Sequence, residues 1–212
     1  MIIGGSGHAK VVIEILQESG RFEIVGCTVK NSAAPFVLDV PVFGDDSHLP
    51  KVYASGVHLA FVAIGNNRLR KTLTHEALAV GFELVNAVSP RAVLSPRVEL
   101  CNGVAVMAGA VINSCVRLGT GCIINTGATV DHDCNIGDWA HVAPGTNVAG
   151  SVTVGEGAFL GIGSRVIPNT SIGEWTTVGA GAVVIRNLPP NVTAIGVPAR
   201  VSCRSERRSR QR

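Results

Sequence analysis

From Leu94 to Val184 every sixth residue is Leu, Ile or Val, sixteen times without interruption. Two positions before each of these stands a small or β-branched residue, among them Ala110, Cys122, Ala128, Cys134, Ala140 and Ala158. A period of six matches neither the 3.6 of an α-helix nor the 2 of a simple strand. It matches a parallel β-helix, in which each hexad supplies one short strand and one turn while aliphatic side chains stack inward from coil to coil. If aliphatics fill about a third of positions, sixteen in register arise by chance with odds of roughly one in ten million or less. The register contains no insertion, so no long loop projects from the coils.

Residues 1–88 follow a different pattern. Met1–Ile3 is a short apolar strand, and Gly4-Gly5-Ser6-Gly7 is a turn. His8–Gln17 has helical periodicity through Val11, Val12, Ile15 and Leu16. Strands are expected at Glu23–Val29, near Val37–Phe43, at His58–Ile64 and at Phe82–Val88, with a second helix over Arg68–Val80. Alternation of strands and helices predicts a small Rossmann-like α/β domain with a parallel sheet. The hexads then define a β-helix domain over 89–200, stopped by Pro189-Pro190 and closed by Gly196-Val197-Pro198-Ala199. Residues 201–212 read as a basic, disordered tail.

Composition changes this picture little. The net charge of +3 owes much to Arg200, Arg204, Arg207, Arg208, Arg210 and Arg212, and the body without them is close to neutral. A nucleic-acid surface needs a basic face with aromatics, and the body offers neither. No run of eighteen apolar residues marks a membrane span, and no signal peptide is read at the start. The six cysteines show no CxxC spacing, and Cys122 and Cys134 fall on inward hexad positions. They read as buried thiols in a reducing cytoplasm.

Three places carry candidate chemistry. Gly5-Ser6-Gly7, between a strand and a helix, offers free N–H groups and a helix dipole to a phosphate; a plain strand-to-helix turn is the alternative. Lys10 stands where a dinucleotide fingerprint would have its third glycine, which argues against NAD. Gly7 is expected to need either close backbone approach or positive φ. The second place is His132, between Asp131 and Asp133. Three hexads make a coil of eighteen residues, so Gly150 lies directly above His132, one strand spacing away at ~4.8 Å. A histidine beneath a glycine backbone can pair a general base with an N–H donor for acyl transfer. A surface histidine on a turn is the alternative. The third place is His141, the other coil histidine. A zinc site needs three converging ligands, so no metal is read.

These features together resemble one family. The hexads are similar to those of the left-handed β-helix acyltransferases. Ile2-Ile3-Gly4-Gly5-Ser6-Gly7-His8-Ala9-Lys10-Val11-Val12, Ala63-Ile64-Gly65-Asn66-Asn67, Asp131-His132-Asp133-Cys134-Asn135-Ile136-Gly137 and Gly196-Val197-Pro198-Ala199 resemble the sialic-acid O-acetyltransferase-like group. Within it, the chain looks most like the N-acetyltransferases of nucleotide-linked 4-amino-4,6-dideoxy sugars. The resemblance implies an acetyl-CoA-dependent homotrimer with active sites between neighbouring chains. It implies His132 as catalytic base, Asp133 as the acid that raises its basicity, and Gly150 as the N–H facing the thioester. His141, Gly150, Ile162 and Ala180 match acetyl-CoA contacts, and Ser6, Gly7, His8 and Gly65 match contacts to the nucleotide sugar, whether UDP-, GDP- or dTDP-linked. Thr28-Val29 departs from the acidic pair that relatives often carry at the end of the second strand. O-acetylation of sialic acid or another sugar is the enzymatic alternative, and a trimeric nucleotide-sugar-binding scaffold the non-enzymatic one.

Overall fold

The computed structural model describes residues 1–30 and 34–202; residues 203–212, most of the basic tail, lie outside the described residues. Each hexad folds into two residues of strand and one corner. The aliphatic residue ends each strand and points inward, together with the small residue two positions before it. From Val104 to Val184 all of these are buried. Burial of each aliphatic is worth about 1.5–3 kcal/mol, so the stack itself carries the fold. Inward hydroxyls are satisfied locally: Thr146 Oγ1 donates to the Gly161 carbonyl at 3.0 Å, and Thr176 Oγ1 to Pro189 at 2.6 Å.

The corners share one constraint. From Leu100 to Val178 the third residue after each aliphatic position takes a left-handed conformation, with φ from +52° at Trp139 to +72° at Gly103. Glycine fills most of these corners because it lacks a Cβ. Cys115, Asp133, Trp139, Ser151, Asn169 and Trp175 occupy others.

The coils form a left-handed prism with three parallel faces. The first face runs through Ala105–Val106, Ile123–Ile124, His141–Val142, Phe159–Leu160 and Thr177–Val178. The second runs from Val93–Leu94 to Val183–Val184 and includes Thr129–Val130 and Asn147–Val148. The third includes Arg117–Leu118, Asn135–Ile136 and Thr153–Val154. The register between successive coils is eighteen residues up to Val166↔Val184, as in Ile123↔His141 and Thr129↔Asn147. The last coil runs on through Pro189-Pro190, expected to stop it, and is sixteen residues, with Ile172↔Leu188 and Thr177↔Thr193.

The N-terminal part contains β1 (Ile2–Ile3), α1 (Gly7–Ser19), β2 (Cys27–Thr28), a small hairpin of β3 (Phe36–Val37) and β4 (Val40–Pro41), α2 (Leu49–Ala54), β5 (Leu59–Val62), α3 (Asn67–Val80), β6 (Glu83–Leu84) and β7 (Ala87–Val88). Its parallel sheet has the order β2-β1-β5-β6. Three expected strands differ, the extended piece near Val37–Phe43 being the β3–β4 hairpin. The one over Glu23–Val29 shortens to β2, because its partner β1 is only two residues long. The single strand over Phe82–Val88 is two: β6 extends the N-terminal sheet, while β7 pairs with Ala105–Val106 on the first face of the prism. Asn86 between them accepts the Val104 N–H at 2.9 Å. α2 was absent from the sequence pattern; its six residues bury only Leu49 and Val52, too few to show a period.

Arg70 helps fix the N-terminal part to the prism, beside an apolar core that α1 shares with Ala105, Met107 and Ile123. Arg70 of α3 is 1% exposed. Its Nε donates to Gly121 O at 2.7 Å, Nη2 to Trp139 O at 2.7 Å and Asn67 Oδ1 at 3.0 Å, and Nη1 to Ile64 O at 2.9 Å and Gly65 O at 3.2 Å. Burial lowers its pKa to about 10, so it remains a cation held by carbonyl dipoles. Asn67 Nδ2 also donates to Gly157 O at 3.0 Å, and Lys71 pairs with Glu156 at 2.6 Å. Arg70→Ala leaves several buried carbonyls unpaired, and chemical denaturation is expected to show a loss on the order of 3 kcal/mol. Arg70→Lys should recover little of it, since one ammonium cannot span carbonyls on both sides. A wild-type midpoint in the alanine variant would remove Arg70 from this role.

Candidate active site

The predicted site residues fall into two groups on opposite sides of the prism. The first group lies where the N-terminal sheet meets the first face. Strand order reverses between β1 and β5, the place where doubly wound sheets bind ligands at the carboxyl ends of their strands. α1 starts after β1 and α3 after β5, so two helix N-termini converge there. Neither has an acidic residue in its first turn, which leaves both dipoles open to an anion. Ser6 is the N-cap of α1 in extended conformation, and its hydroxyl makes no capping bond. Asn66 caps α3 by accepting from the Leu69 N–H at 3.0 Å.

Positive φ falls at Gly4, at +116°, not at Gly7. A Cβ on Gly4 would stand 2.8 Å from Ala63 O, so this glycine lets β1 and β5 close. Gly7 begins α1 with nothing within 4 Å of an added Cβ. A side chain there would therefore occupy ligand space without straining the turn.

His8, Gly65 and His141 gather around Arg70. His141 is 7% exposed. Its Nδ1 faces the Gly65 carbonyl at 3.4 Å and Nε2 faces the Asn125 amide at 3.0 Å. The carbonyl can only accept, so Nδ1 carries the proton and Nε2 accepts from Asn125. Burial, then the Arg70 charge, then His8, push its pKa down to about 3. Burial and Arg70 likewise bring His8 to about 4, and His8 Nε2 is shielded from solvent with no hydrogen-bond partner among the described residues. Both histidines are neutral at pH 7 and far too acidic as imidazolium ions to work as bases there. A groove of about 990 Å³ extends from Gly65 up the first face, past Phe159, Trp175, Thr177 and Thr193. Ile162, 61% exposed, and Ala180 sit one above the other on the edge between the first and second faces.

The second group lies on the edge between the second and third faces, opposite the first face. His132 and Asp133 form a corner there, exposed to solvent. Asp133 takes the left-handed position, φ +58°, and its Oδ2 lies 2.8 Å from His132 Nδ1. Asp131 Oδ1 accepts the His132 backbone N–H at 2.8 Å and the Asn113 amide at 2.7 Å. The hydrogen bond to Asp133, followed by the Asp131 charge, raises the His132 pKa above its ordinary value. Nδ1–H therefore points at a carboxylate, and Nε2 remains as the basic atom. Gly150 lies over the ring: an added Cβ would stand 2.6 Å from Cε1 and 2.7 Å from Nε2. The glycine is required for space, not for φ.

Among the histidines of the two groups, only His132 has a pKa moved toward neutral-pH base chemistry. One chain does not bring it to the turn of His8 and Gly65, since the width of the prism lies between them. Sequence reasoning missed Arg70 altogether. Nothing in Asn67-Arg68-Leu69-Arg70-Lys71 distinguishes the buried arginine from its exposed neighbour Arg68.

The comparisons with known proteins cover both parts. Residues 1–77 match the PglD N-terminal domain, and residues 151–186 match the bacterial transferase hexapeptide repeats. PerB from Caulobacter crescentus, whose structure is in complex with CoA and GDP-perosamine, is 54% identical, with a TM-score of 0.92 over 95% of this chain and 96% of that one. The acetyltransferase domain of PglB from Neisseria gonorrhoeae FA1090, in complex with acetyl coenzyme A, is 35% identical, with a TM-score of 0.88 over 95% and 97%. WeeI from Acinetobacter baumannii AYE, 24% identical, shares the fold.

If His132 is tuned by Asp133, the kcat/KM profile against pH should fall as pH drops through a His132 pKa above 6.5. Asp133→Asn keeps a residue that tolerates the left-handed corner but removes the largest cause of the raised pKa. The acidic limb should move to lower pH and the maximal rate should fall. An unmoved limb would detach Asp133 from the base.

From the glycine turn to the last coil, sequence, fold and comparisons agree: the chain belongs to the hexapeptide-repeat sugar acyltransferases with a PglD-type N-terminal domain, the sialic-acid O-acetyltransferase-like family.

Proposed function

We propose that this chain transfers the acetyl group of acetyl-CoA to the 4-amino group of a nucleotide-linked 4-amino-4,6-dideoxy sugar. The observation that carries the reading is the carboxylate-tuned His132 seated against Gly150. Its support is the 54%-identical relative in complex with CoA and GDP-perosamine and the 35%-identical one with acetyl coenzyme A. GDP is accordingly the first nucleotide to assay, ahead of UDP and dTDP.

The sugar amine attacks the thioester carbonyl carbon directly. The new C–N bond forms, His132 Nε2 takes the proton from nitrogen, and the Gly150 N–H stabilises the oxyanion. Collapse breaks the C–S bond, and the proton on His132 passes to the leaving thiolate. Asp133 holds the ring and stabilises the imidazolium while it exists. His141, Ile162 and Ala180 line the acetyl-CoA path. Ser6, Gly7, His8 and Gly65 hold the nucleotide sugar, whose diphosphate faces the two helix N-termini.

The two groups meet only if a neighbouring chain supplies one of them, so the active form is a homotrimer with shared sites. Acetyl-CoA consumption and the free cysteines fit the cytoplasmic location read from the sequence.

Incubation with acetyl-CoA and a panel of GDP-, UDP- and dTDP-linked 4-amino sugars, followed by mass spectrometry, tests the reaction. One nucleotide series should gain an acetyl group that survives mild alkali, as an amide does and an ester does not. Failure to acetylate any member ends the proposal. His132→Ala should lower kcat by about a hundred- to ten-thousand-fold with the KM for acetyl-CoA nearly unchanged. Full rate at pH 7 would show that His132 is not the base.

Shared sites make a separate prediction. His132→Ala and His8→Ala chains, each impaired alone, should form mixed trimers on co-expression that regain roughly a quarter of wild-type activity, the random share of intact sites. No recovery in confirmed mixed trimers places both residues in one chain's site.

A further inference from the structure

The nucleotide crevice lacks an acid where doubly wound folds commonly provide one. In such sheets a carboxylate at the end of the second strand takes the ribose hydroxyls. Here that position holds Thr28 and Val29. Thr28 is fully buried, and the Val29 methyls pack against Gly5, where they would collide with any added Cβ. Neither can accept a hydrogen bond from a diol as a carboxylate does.

A carboxylate reaches the same place from a neighbouring strand end. Val42 bridges Cys27 in parallel, Phe43 N–H donates to Cys27 O at 2.9 Å, and Val29 N–H donates to Gly44 O at 2.8 Å. Residues 42–44 thus run beside β2 as one more parallel segment, and Asp45 and Asp46 emerge at the carboxyl edge of the sheet. The two acids have different tasks. Asp45 is spent locally: it accepts from the Ser47 backbone N–H at 3.0 Å and from its hydroxyl at 2.5 Å, and it caps a short 3₁₀ turn. Asp46 turns back to the strand end, where its Oδ1 accepts the Thr28 hydroxyl at 2.5 Å. The Thr28 carbonyl in turn accepts the Gly4 N–H at 3.0 Å. The Asp46 carboxylate is therefore linked through Thr28 to the strand end beside Gly4, at the carboxyl edge where the glycine turn leads into α1.

We propose that Asp46 is the ribose-binding, specificity-determining residue of the nucleotide site. Its carboxylate accepts hydrogen bonds from the 2′,3′-diol, and the Thr28 hydroxyl orients it. The proposal rests on the nucleotide-sugar reading above. It adds that the site selects ribonucleotides over 2′-deoxyribonucleotides, which favours GDP or UDP as carrier and disfavours dTDP. A charged acceptor that loses one of two hydroxyl partners remains partly unsatisfied, so discrimination is strong.

Isothermal titration of the full chain with GDP, 2′-deoxy-GDP, UDP, 2′-deoxy-UDP and CoA tests it. The wild-type protein should bind one ribonucleotide about tenfold or more tightly than its 2′-deoxy form. Asp46→Asn should weaken that ribonucleotide by a similar factor and bring the ribo-to-deoxy ratio close to one, with CoA affinity unchanged. Thr28→Val, which frees the carboxylate, should reduce the ratio part of the way. An unchanged ratio in a folded Asp46→Asn protein overturns the assignment. So does a wild-type protein that binds the deoxy form equally well, a measurement that needs no variant. Absence of binding to every nucleotide, with CoA still bound, overturns the nucleotide-sugar reading itself and the Asp46 assignment with it.

Discussion

The candidate site depends on one buried guanidinium. Arg70 ties the loop after β5 to the carbonyls of two successive coils. It therefore sets where Gly65 and the N-terminus of α3 stand relative to His141. Its charge also acts on the chemistry: together with burial it keeps His8 and His141 neutral. Arg70 thus helps join the two parts, beside Asn67, Lys71 and a shared apolar core, places one wall of the groove and leaves His132, on another edge, as the histidine of the two groups whose pKa is raised. Removing Arg70 would disturb packing, geometry and electrostatics together, since its partners, backbone carbonyls and Asn67 Oδ1, lie on both sides of the junction.

The corners provide the second constraint. A prism coil must turn with a left-handed residue every sixth position, and glycine is the least strained choice. At three of the other corners the side chain makes a contact that offsets the strain. Asp133 uses the corner to face His132. Trp139 and Trp175 use theirs to lie beneath α3, with Lys71 Nζ 4.6 Å from the Trp139 ring and the Arg68 guanidinium 4.2 Å from the Trp175 ring. The corners one coil below them are Gly121 and Gly157, and an added Cβ would meet the indole at 3.0 and 2.4 Å respectively. Small and large corners alternate so that aromatic rings can fold over glycines. These cation–π contacts are worth about 0.5–2 kcal/mol each and support the position that Arg70 defines.

The same separation organises function. The tuned histidine lies on the edge opposite the face that carries the N-terminal part. The coils place its Nε2 against a glycine of the next coil and leave it open to solvent. His132 and the crevice at the N-terminal sheet lie on opposite sides of a rigid prism; under the proposed reaction they serve one substrate only through a second chain. The rigid coils, which fix His132 against Gly150 without any loop, also hold these two places apart.

The hexad period determined the coils, their eighteen-residue register and the inward residues, because stacking aliphatic side chains is a repeating local rule. It placed Gly150 over His132, and it set Cys122 and Cys134 inside. The turn Gly4-Gly5-Ser6-Gly7 was legible as a strand-to-helix junction because glycines stand between an apolar strand and a helical period. Tertiary structure alone decided what non-repeating contacts control. It moved the positive φ from Gly7 to Gly4, because the approach of Ala63 acts there. It divided Phe82–Val88 between two sheets, because each half pairs with a different neighbour. It buried Arg70, raised one histidine pKa and lowered two others, and brought Asp46 to Thr28 across eighteen residues. None of these leaves a period in the sequence, since each depends on which distant carbonyl, carboxylate or charge the fold delivers to that side chain.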